Sequence, residues 1–340
     1  MADTSQTLAL LALGQKLRGN IVRTINRRAI TLRIFPWLLA DGQNCAWAVE
    51  GDGQVGENYA EGADAANFGS DSQVQALLNW GHYRSNFHVT GTARRAARRA
   101  AAGPMGIQNL IGRNMTNSSA KVASIINVAA YNGAGTGTTM AGFDVAIGST
   151  TNTYGTIDRT VGANSFWLPT VVDPGSLTKP TFAQMRDDRR KIYVASGEYP
   201  DIGLVSPDVF NAIGGLYDNN RRWVTEVETP RGTVILDAGF KGLELDGMTF
   251  IQDKDATSNK IYYVNSNYVH FEYLPPDEDI LQDMQLNAQA DDGWGATPLG
   301  ITCEQLSKTG DSSKYQCLTN VQLVVTRPNA CGVRVNVDPS

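Results

Sequence analysis

The chain has 340 residues, 42% of them hydrophobic and 19% charged, with a formal net charge of -5. That composition belongs to a folded protein long enough for two cores, and the net acidity argues against a surface built wholly to grip nucleic acid. No apolar run approaches the roughly 18 residues of a membrane span, and Leu8–Leu13, preceded by Asp3 and no basic residue, does not read as a signal peptide.

Leu8–Ile25 reads as a weakly amphipathic helical arm. A strand-like stretch, ITLRIFPWLLA, follows and ends at the turn Asp41-Gly42. Between Thr4 and Ala40 there is no acid, while Lys16, Arg18, Arg23, Arg27, Arg28 and Arg33 are basic. The sign then reverses: Asp41, Glu50, Asp52, Glu57, Glu61, Asp64 and Asp71 stand without any Lys or Arg. It reverses again from Ser72 to Phe143, with Arg84, Arg94, Arg95, Arg98, Arg99, Arg113 and Lys121 and no acid. A chain that folds alone mixes its charges more evenly. These blocks suggest segments that reach for opposite charge on other copies, where complementarity sets register more than affinity.

Gln43–Ser72 is rich in Gly, Asp, Asn and Ala and buries no core of its own. It is too long for an incidental loop. NFHVTGT alternates like a strand running into a helix, with Thr92 as the expected cap. The helical region Ala93–Tyr131 is interrupted at Gly103-Pro104, where a helix must end or kink. Arg94/Arg98 and Arg95/Arg99 are i,i+4 pairs that repel unless something acidic covers them. A protein segment is favoured over nucleic-acid phosphate as that cover. YNGAGTGTTMAGF, residues 131–143, ends the helix; it follows no strand and lacks Gly-Lys-Ser/Thr, so it is not a phosphate loop. Gly142–Pro180 reads as loops and short strands.

Thr181–Leu274 is the most patterned stretch. Phe182, Met185, Ile192 and Ala195 share one helical face, and Gly197 and Pro200 stop that helix. Ile202–Val205 reads as a buried strand. Ser206-Pro207 then opens a second helix, with Val209, Phe210, Ile213, Leu216 and Tyr217 on its apolar face. Strands are expected at Thr233–Leu236, Met248–Ile251, Ile261–Val264 and Tyr268–Tyr273. After an acidic stretch, Pro275–Asp283, and a polar segment to Leu299, the chain closes on a terminal strand pair. It carries Val321, Leu323 and Val325, then Val333, Val335 and Val337 beyond the Arg327-Pro328 turn.

YPDIGLVSPDVFNAIGGLYDNNRRW followed by LELDGMTFIQDKDATSNKIYYVNSNYVHFEYLP resembles the A-domain of tailed-phage major capsid proteins of the HK97-like fold. Asp201, Pro207, Gly247, Asp253, Tyr262 and Asn265 occupy that family's pattern positions, and the closing RPNA segment resembles its returning strand. The resemblance covers most of residues 75–337. It implies an α+β chain divided as N-terminal arm and following strand (1–40), E-loop extension (41–75), P-domain with a long spine helix (76–133), A-domain (134–305) and C-terminal strands returning to the P-domain (306–340). The glycine turn at 131–143 becomes a hinge, and the acids of 41–71 dock on a neighbour's Arg94, Arg95, Arg98 and Arg99 or arm residues Arg23, Arg27 and Arg28. Loop 214–222, with Tyr217, Arg221 and Arg222, faces a capsomer axis.

The function implied is a coat protein forming hexamers and pentamers of an icosahedral head around double-stranded DNA, in the virion after assembly in the host cytoplasm. Its partners would be other copies, a separate scaffolding protein, a portal, decoration proteins and non-specific DNA contacts, with no membrane. A separate scaffold is expected because the chain enters its arm within about ten residues. No Lys stands between Lys16 and Lys121, so the lysine of the Lys–Asn crosslinks made by some relatives is missing. An encapsulin-like compartment on the same fold, and an unrecognised hydrolase or transferase, are the alternatives.

No catalytic, cofactor or metal site is expected. His82 and His88 share a strand face without a third ligand, and His270-Phe271-Glu272 lacks the P-C-x-x-C of a deaminase. Asp187-Asp188 beside Arg189-Arg190-Lys191 reads as a solvated helix face; Asp253 and Asp255 flank Lys254 in a turn and form no acid–base pair. Cys45, Cys303, Cys317 and Cys331 have no zinc spacing. Free thiols are expected of a reducing cytoplasm, with a disulfide between subunits through Cys45 or Cys331 as the alternative.

Overall fold

A computed structural model describes residues 29–40, 42–51, 57–58, 61, 64, 73–100, 104–216, 223–224, 226–229, 232–235, 242–274, 300–306 and 310–340; for 98–100, 104–109 and 223–242 only the backbone is described. The arm Leu8–Ile25 and the acidic stretch Pro275–Asp283 lie outside the described residues.

The expected strand Ile30–Ala40 is divided. Thr31–Ile34 is one helical turn (α1) and only Trp37–Leu39 is a strand (β1). The physical reason is Pro36: the residue before a proline is driven out of the helical region, and Phe35 is extended at φ -92, ψ 144. Among the described residues β2 (Cys45–Glu50) and β3 (Gln73–Leu78) pair only with each other, in an antiparallel ribbon. β4 (Gly81–Thr90) runs into α2 (Gly91–Ala100), capped by the Thr90 hydroxyl, which accepts from the Ala93 N–H at 3.3 Å. The cap therefore sits two residues before the expected Thr92. α3 (Pro104–Asn132) starts on a proline, whose fixed φ suits a first turn, and runs 29 residues. Gly133 ends it where a Cβ would lie 2.3 Å from the Met140 carbonyl oxygen, so the turn closes only with glycine.

Next come α4 (Phe143–Ala146), the hairpin β5 (Thr153–Tyr154) and β6 (Ile157–Asp158), a 3-10 turn at Gly162–Trp167 and β7 (Thr170–Val172). α5 (Phe182–Ser196) has the reciprocal Thr181/Gln184 capping box and ends on left-handed Gly197. Its buried stripe is Met185, Asp188 and Ile192, whereas Ala195 is exposed. β8 (Ile202–Val205) and α6 (Pro207–Gly215), capped by Ser206, lie where expected. β9 (Trp223–Val224), β10 (Glu226–Thr229), β11 (Gly232–Ile235), β12 (Gly242–Leu245), β13 (Met248–Gln252), β14 (Ile261–Val264) and β15 (Val269–Tyr273) follow, then β16 (Thr302–Gln305), β17 (Ser312–Val325) and β18 (Gly332–Arg334).

Two sheets organise the protein. One has the order β1-β15-β17-β16, with β4 paired along the first part of β17; the other has the order β7-β18-β14-β8-β13-β12-β9. α5 and α6 cover the second sheet over a core of Met185, Ile192, Val209, Phe210, Ile213, Phe250 and Tyr263. The first sheet packs on α3 through Val89, Ile111, Met115 and Tyr315.

The expected terminal strand pair does not form. Val321, Leu323 and Val325 belong to β17 in the first sheet, while Val333 lies in β18, between β7 and β14 of the second. All three β18 residues are buried, as a central strand requires. β15 likewise leaves the second sheet for the first, so the chain crosses between sheets three times, from β4 to β7, from β14 to β15 and from β17 to β18. Expected free thiols are corrected at two positions, because Cys303 and Cys317, directly opposite in β16 and β17, form a disulfide within the chain. Cys45 and Cys331 are free and, at 1% and 0% exposure, are enclosed in the core.

Candidate assembly surfaces and the joint between sheets

The β2–β3 ribbon is anchored at one end and open at the other. Its register runs from Cys45 opposite Leu78 to Glu50 opposite Gln73. Cys45, Ala76 and Leu78 are buried at the base, whereas Glu50, Gln73, Val74 and Gln75 are exposed. Trp47 packs on Tyr154 and Trp167 with centroids 6.3 and 6.4 Å apart, and the Leu77 N–H donates to the Gly155 carbonyl at 3.0 Å. Glu57, Glu61 and Asp64 are exposed, while Asp41, Asp52 and Asp71 lie outside the described residues.

A buried cation supports that base. Arg159, 3% exposed, donates to the carbonyls of Val145, Ala146, Ser149 and Trp167 and to Asn152 Oδ1, with its guanidinium over the Tyr154 ring. Burial pushes its pKa down to about 10, so it stays charged at neutral pH. Its charge is met by oriented carbonyls, the condition for burying an ion. Nothing in the local pattern of residues 145–167 marked this arginine out.

On α2, Arg94 donates to the Ser313 hydroxyl at 2.8 Å and Arg95 pairs with Asp311 at 3.2 Å. The Arg95 pair is well exposed, so its intrinsic worth is small. Only the backbone of Arg98 and Arg99 is described; Arg23, Arg27, Arg28, Tyr217, Arg221 and Arg222 lie outside the described residues. Along β4, His82, Arg84, Asn86 and His88 are exposed on one face, opposite Asn320, Leu318, Gln316 and Lys314 of β17. The two histidines share that face with a basic strip; His82 Nδ1 lies 2.7 Å from Asn320 Oδ1. Among the described residues no three His, Cys, Asp or Glu side chains converge to hold a metal.

Behind these surfaces is a polar joint. Asp253, fully buried after β13, accepts from Thr31 Oγ1 at 2.8 Å, Tyr131 Oη at 3.1 Å, Asn127 Nδ2 at 3.1 and 3.0 Å and the Asp255 N–H at 3.0 Å. Asn127 Nδ2 also donates to Asp255 Oδ2 at 2.8 Å. One carboxylate thus ties α1, α3 and the β13–β14 turn together. Asp255 and Lys254 pair at 2.6 Å nearby. Asp144, after α3, accepts from Lys260 and Tyr262 at 2.7 Å each.

The expected solvated face at Asp187-Asp188 is half right. Asp187 pairs with Arg190 and Lys191 at the surface. Asp188 is fully buried and holds Arg334 of β18 through two bonds, 2.6 and 2.8 Å, and Tyr263 of β14 at 2.9 Å. The overlooked signal is its spacing, three residues after Met185 and four before Ile192, on the apolar face. A second link runs from Arg327 to Glu198 Oε1 at 2.8 Å, shared with Tyr268 Oη at 2.7 Å.

The arrangement of Cys45, His270 and Glu272 is not that of a nucleophile. Burial, and then the Glu272 charge, push the Cys45 thiol far above its usual range, whereas a reactive cysteine needs it lowered. His270 Nε2 lies 3.1 Å from Glu272 Oε1.

A family model described as "SU10 major capsid protein" matches residues 23–338. Among solved structures, "Cyanophage A-1(L) capsid asymmetric unit" is similar at TM-score 0.69 and 17% identity, over 92% of this chain and 94% of that one. "Capsid of empty GTA particle" is similar at TM-score 0.56 and 12% identity, over 90% and 88%. The holo-SrpI encapsulin of Synechococcus elongatus PCC 7942 is similar at TM-score 0.50 and 12% identity, over 91% and 87%. No curated protein sequence matches the chain. Among the described residues no helix is long and apolar enough to cross a membrane.

Proposed function

The chain belongs to the SU10 major capsid protein family, and from that premise we propose which of its surfaces build the shell. It is a major capsid protein of the HK97-like fold. The β2–β3 ribbon is the E-loop, the first sheet with α3 the P-domain, and the second sheet with α5 and α6 the A-domain. Hexamers and pentamers close an icosahedral head around double-stranded DNA; assembly takes place in the host cytoplasm and the product is the virion. A separate scaffolding protein, a portal and decoration proteins are its further partners, and its role is structural rather than enzymatic. The loop with Tyr217, Arg221 and Arg222 lines the capsomer axis.

The carrying observation is the ribbon itself, two strands that pair with nothing else among the described residues and expose Glu50 at their far end. A two-stranded ribbon is marginal in water without a surface to lie on. The neighbour's basic strip, Arg84, Arg94, Arg95 and Lys314, offers one of opposite charge.

The test is electron microscopy of the purified chain with its scaffold, for wild type and for a Glu50→Lys, Glu57→Lys, Glu61→Lys, Asp64→Lys variant. Wild type should give closed shells that dissociate more readily at high salt, and the variant soluble subunits. Normal shells from the variant would sink the docking model. An encapsulin-like compartment, on a fold similar at TM-score 0.50, would be recognised by particles that protect protein cargo and no DNA.

A further inference from the structure

Cys303 and Cys317 sit directly opposite one another and are joined. Their position is particular. β16 is a four-residue edge strand whose described partner is β17 alone. It is also the first strand after residues 275–299. The described residues on either side of that stretch, Leu274 and Gly300, lie together, since a Cβ on Gly300 would be 3.2 Å from the Leu274 carbonyl oxygen. A bond between β16 and β17 therefore fastens the chain just after Gly300 to a long strand that α3 and β4 already hold. Ser119 of α3 places its hydroxyl 3.7 Å from one sulfur and 3.9 Å from the other.

We infer that the Cys303–Cys317 pair is an oxidation site that closes after the shell has formed, locking β16 covalently in the finished particle. This rests on the reading that the shell is built in the host cytoplasm, where thiols are kept reduced. Four paired backbone positions, Thr302 to Gln305 against Leu318 to Tyr315, hold the strand before the bond exists. In the chemistry, the two thiols release two protons and two electrons as the S–S bond forms, and molecular oxygen, met after lysis, takes them up as hydrogen peroxide. The pairing is unambiguous because Cys45 and Cys331 are enclosed elsewhere in the core. Half-buried Cys303 is the sulfur open to attack, and Cys317 lies behind it at 0% exposure.

Differential alkylation with mass spectrometry decides the timing. Cells producing shells are quenched in acid and alkylated with N-ethylmaleimide, and released, air-exposed particles are treated in parallel. Residues 303 and 317 should be alkylated in the cells and disulfide-linked in the particles. A bond already present in the cells, or free thiols in released particles, overturns the inference. A Cys303→Ser, Cys317→Ser variant should assemble shells of normal size. Those shells should melt several degrees below oxidised wild type and ignore a phosphine reductant that lowers wild type to the same value. Failure of the variant alone to assemble would show that the bond is needed earlier, which also overturns it. Failure of wild type to form any shell would strike the capsid reading instead.

Discussion

Asn127 of the long helix holds Asp253, in the turn after β13, by donating one amide nitrogen to both carboxylate oxygens, at 3.1 and 3.0 Å. Both residues are fully buried, and Thr31 and Tyr131 complete the cluster. Removing a member leaves the others desolvated and unpaired, at roughly 1–3 kcal/mol for each orphaned group. Asp253→Ala should therefore cost about 3–5 kcal/mol, read as a lower urea midpoint for the unassembled subunit. A shift near zero would mean the cluster is not the joint.

Asp188 and Arg334 form a buried ion pair between α5 and β18, with side chains 0% and 6% exposed. Breaking one side strands a buried charge, so Asp188→Ala should cost about 3–5 kcal/mol. Replacing both by apolar residues of similar volume should recover most of that loss. If the double variant is as unstable as the single, packing rather than charge carries the effect.

Arg159 makes contacts that lysine cannot reproduce, because its fork of donors reaches several carbonyls at once. Arg159→Lys should cost about 2 kcal/mol or more. It should also speed proteolysis within residues 41–75, since the ribbon base rests on Tyr154 and Trp167. Unchanged cleavage would separate Arg159 from the ribbon.

Burial raises the phenols of Tyr131, Tyr154, Tyr262 and Tyr263 above the ordinary 10.0. The folded state keeps these protons where the unfolded chain releases them. Stability from this source is fully present below pH 10 and falls as pH rises above it. Alkaline titration of subunits should show tyrosinate absorbance appearing together with loss of circular dichroism. Smooth ionisation without unfolding would contradict the burial.

With no lysine between Lys16 and Lys121, the Lys–Asn crosslinks made by some relatives cannot form from the ribbon. Mature shells denatured without reductant should run as single, uncrosslinked chains. A ladder that survives reduction would show another crosslink.

Much of the fold is local and readable. The Thr181/Gln184 capping box, Gly197, the Ser206-Pro207 start and the Gly103-Pro104 break lie in short stretches where backbone chemistry acts within a turn or two. The family pattern likewise holds Asp253, Tyr262 and Asn265 at readable intervals. Asp253 was visible as a position and not as a hub, because Thr31 and Asn127 are 222 and 126 residues away.

By itself, the sequence determined the long helices, the central strands β8, β13 and β14, and the alternating charge blocks. All of these follow from periodicity, capping and composition along the chain. Only the tertiary structure decided that β17 and β18 serve different sheets, that Asp188 finds Arg334, and that Cys303 meets Cys317. Those outcomes depend on which distant groups share one buried volume, where a charge needs a partner and a strand needs a neighbour on each side. No local pattern carries that information.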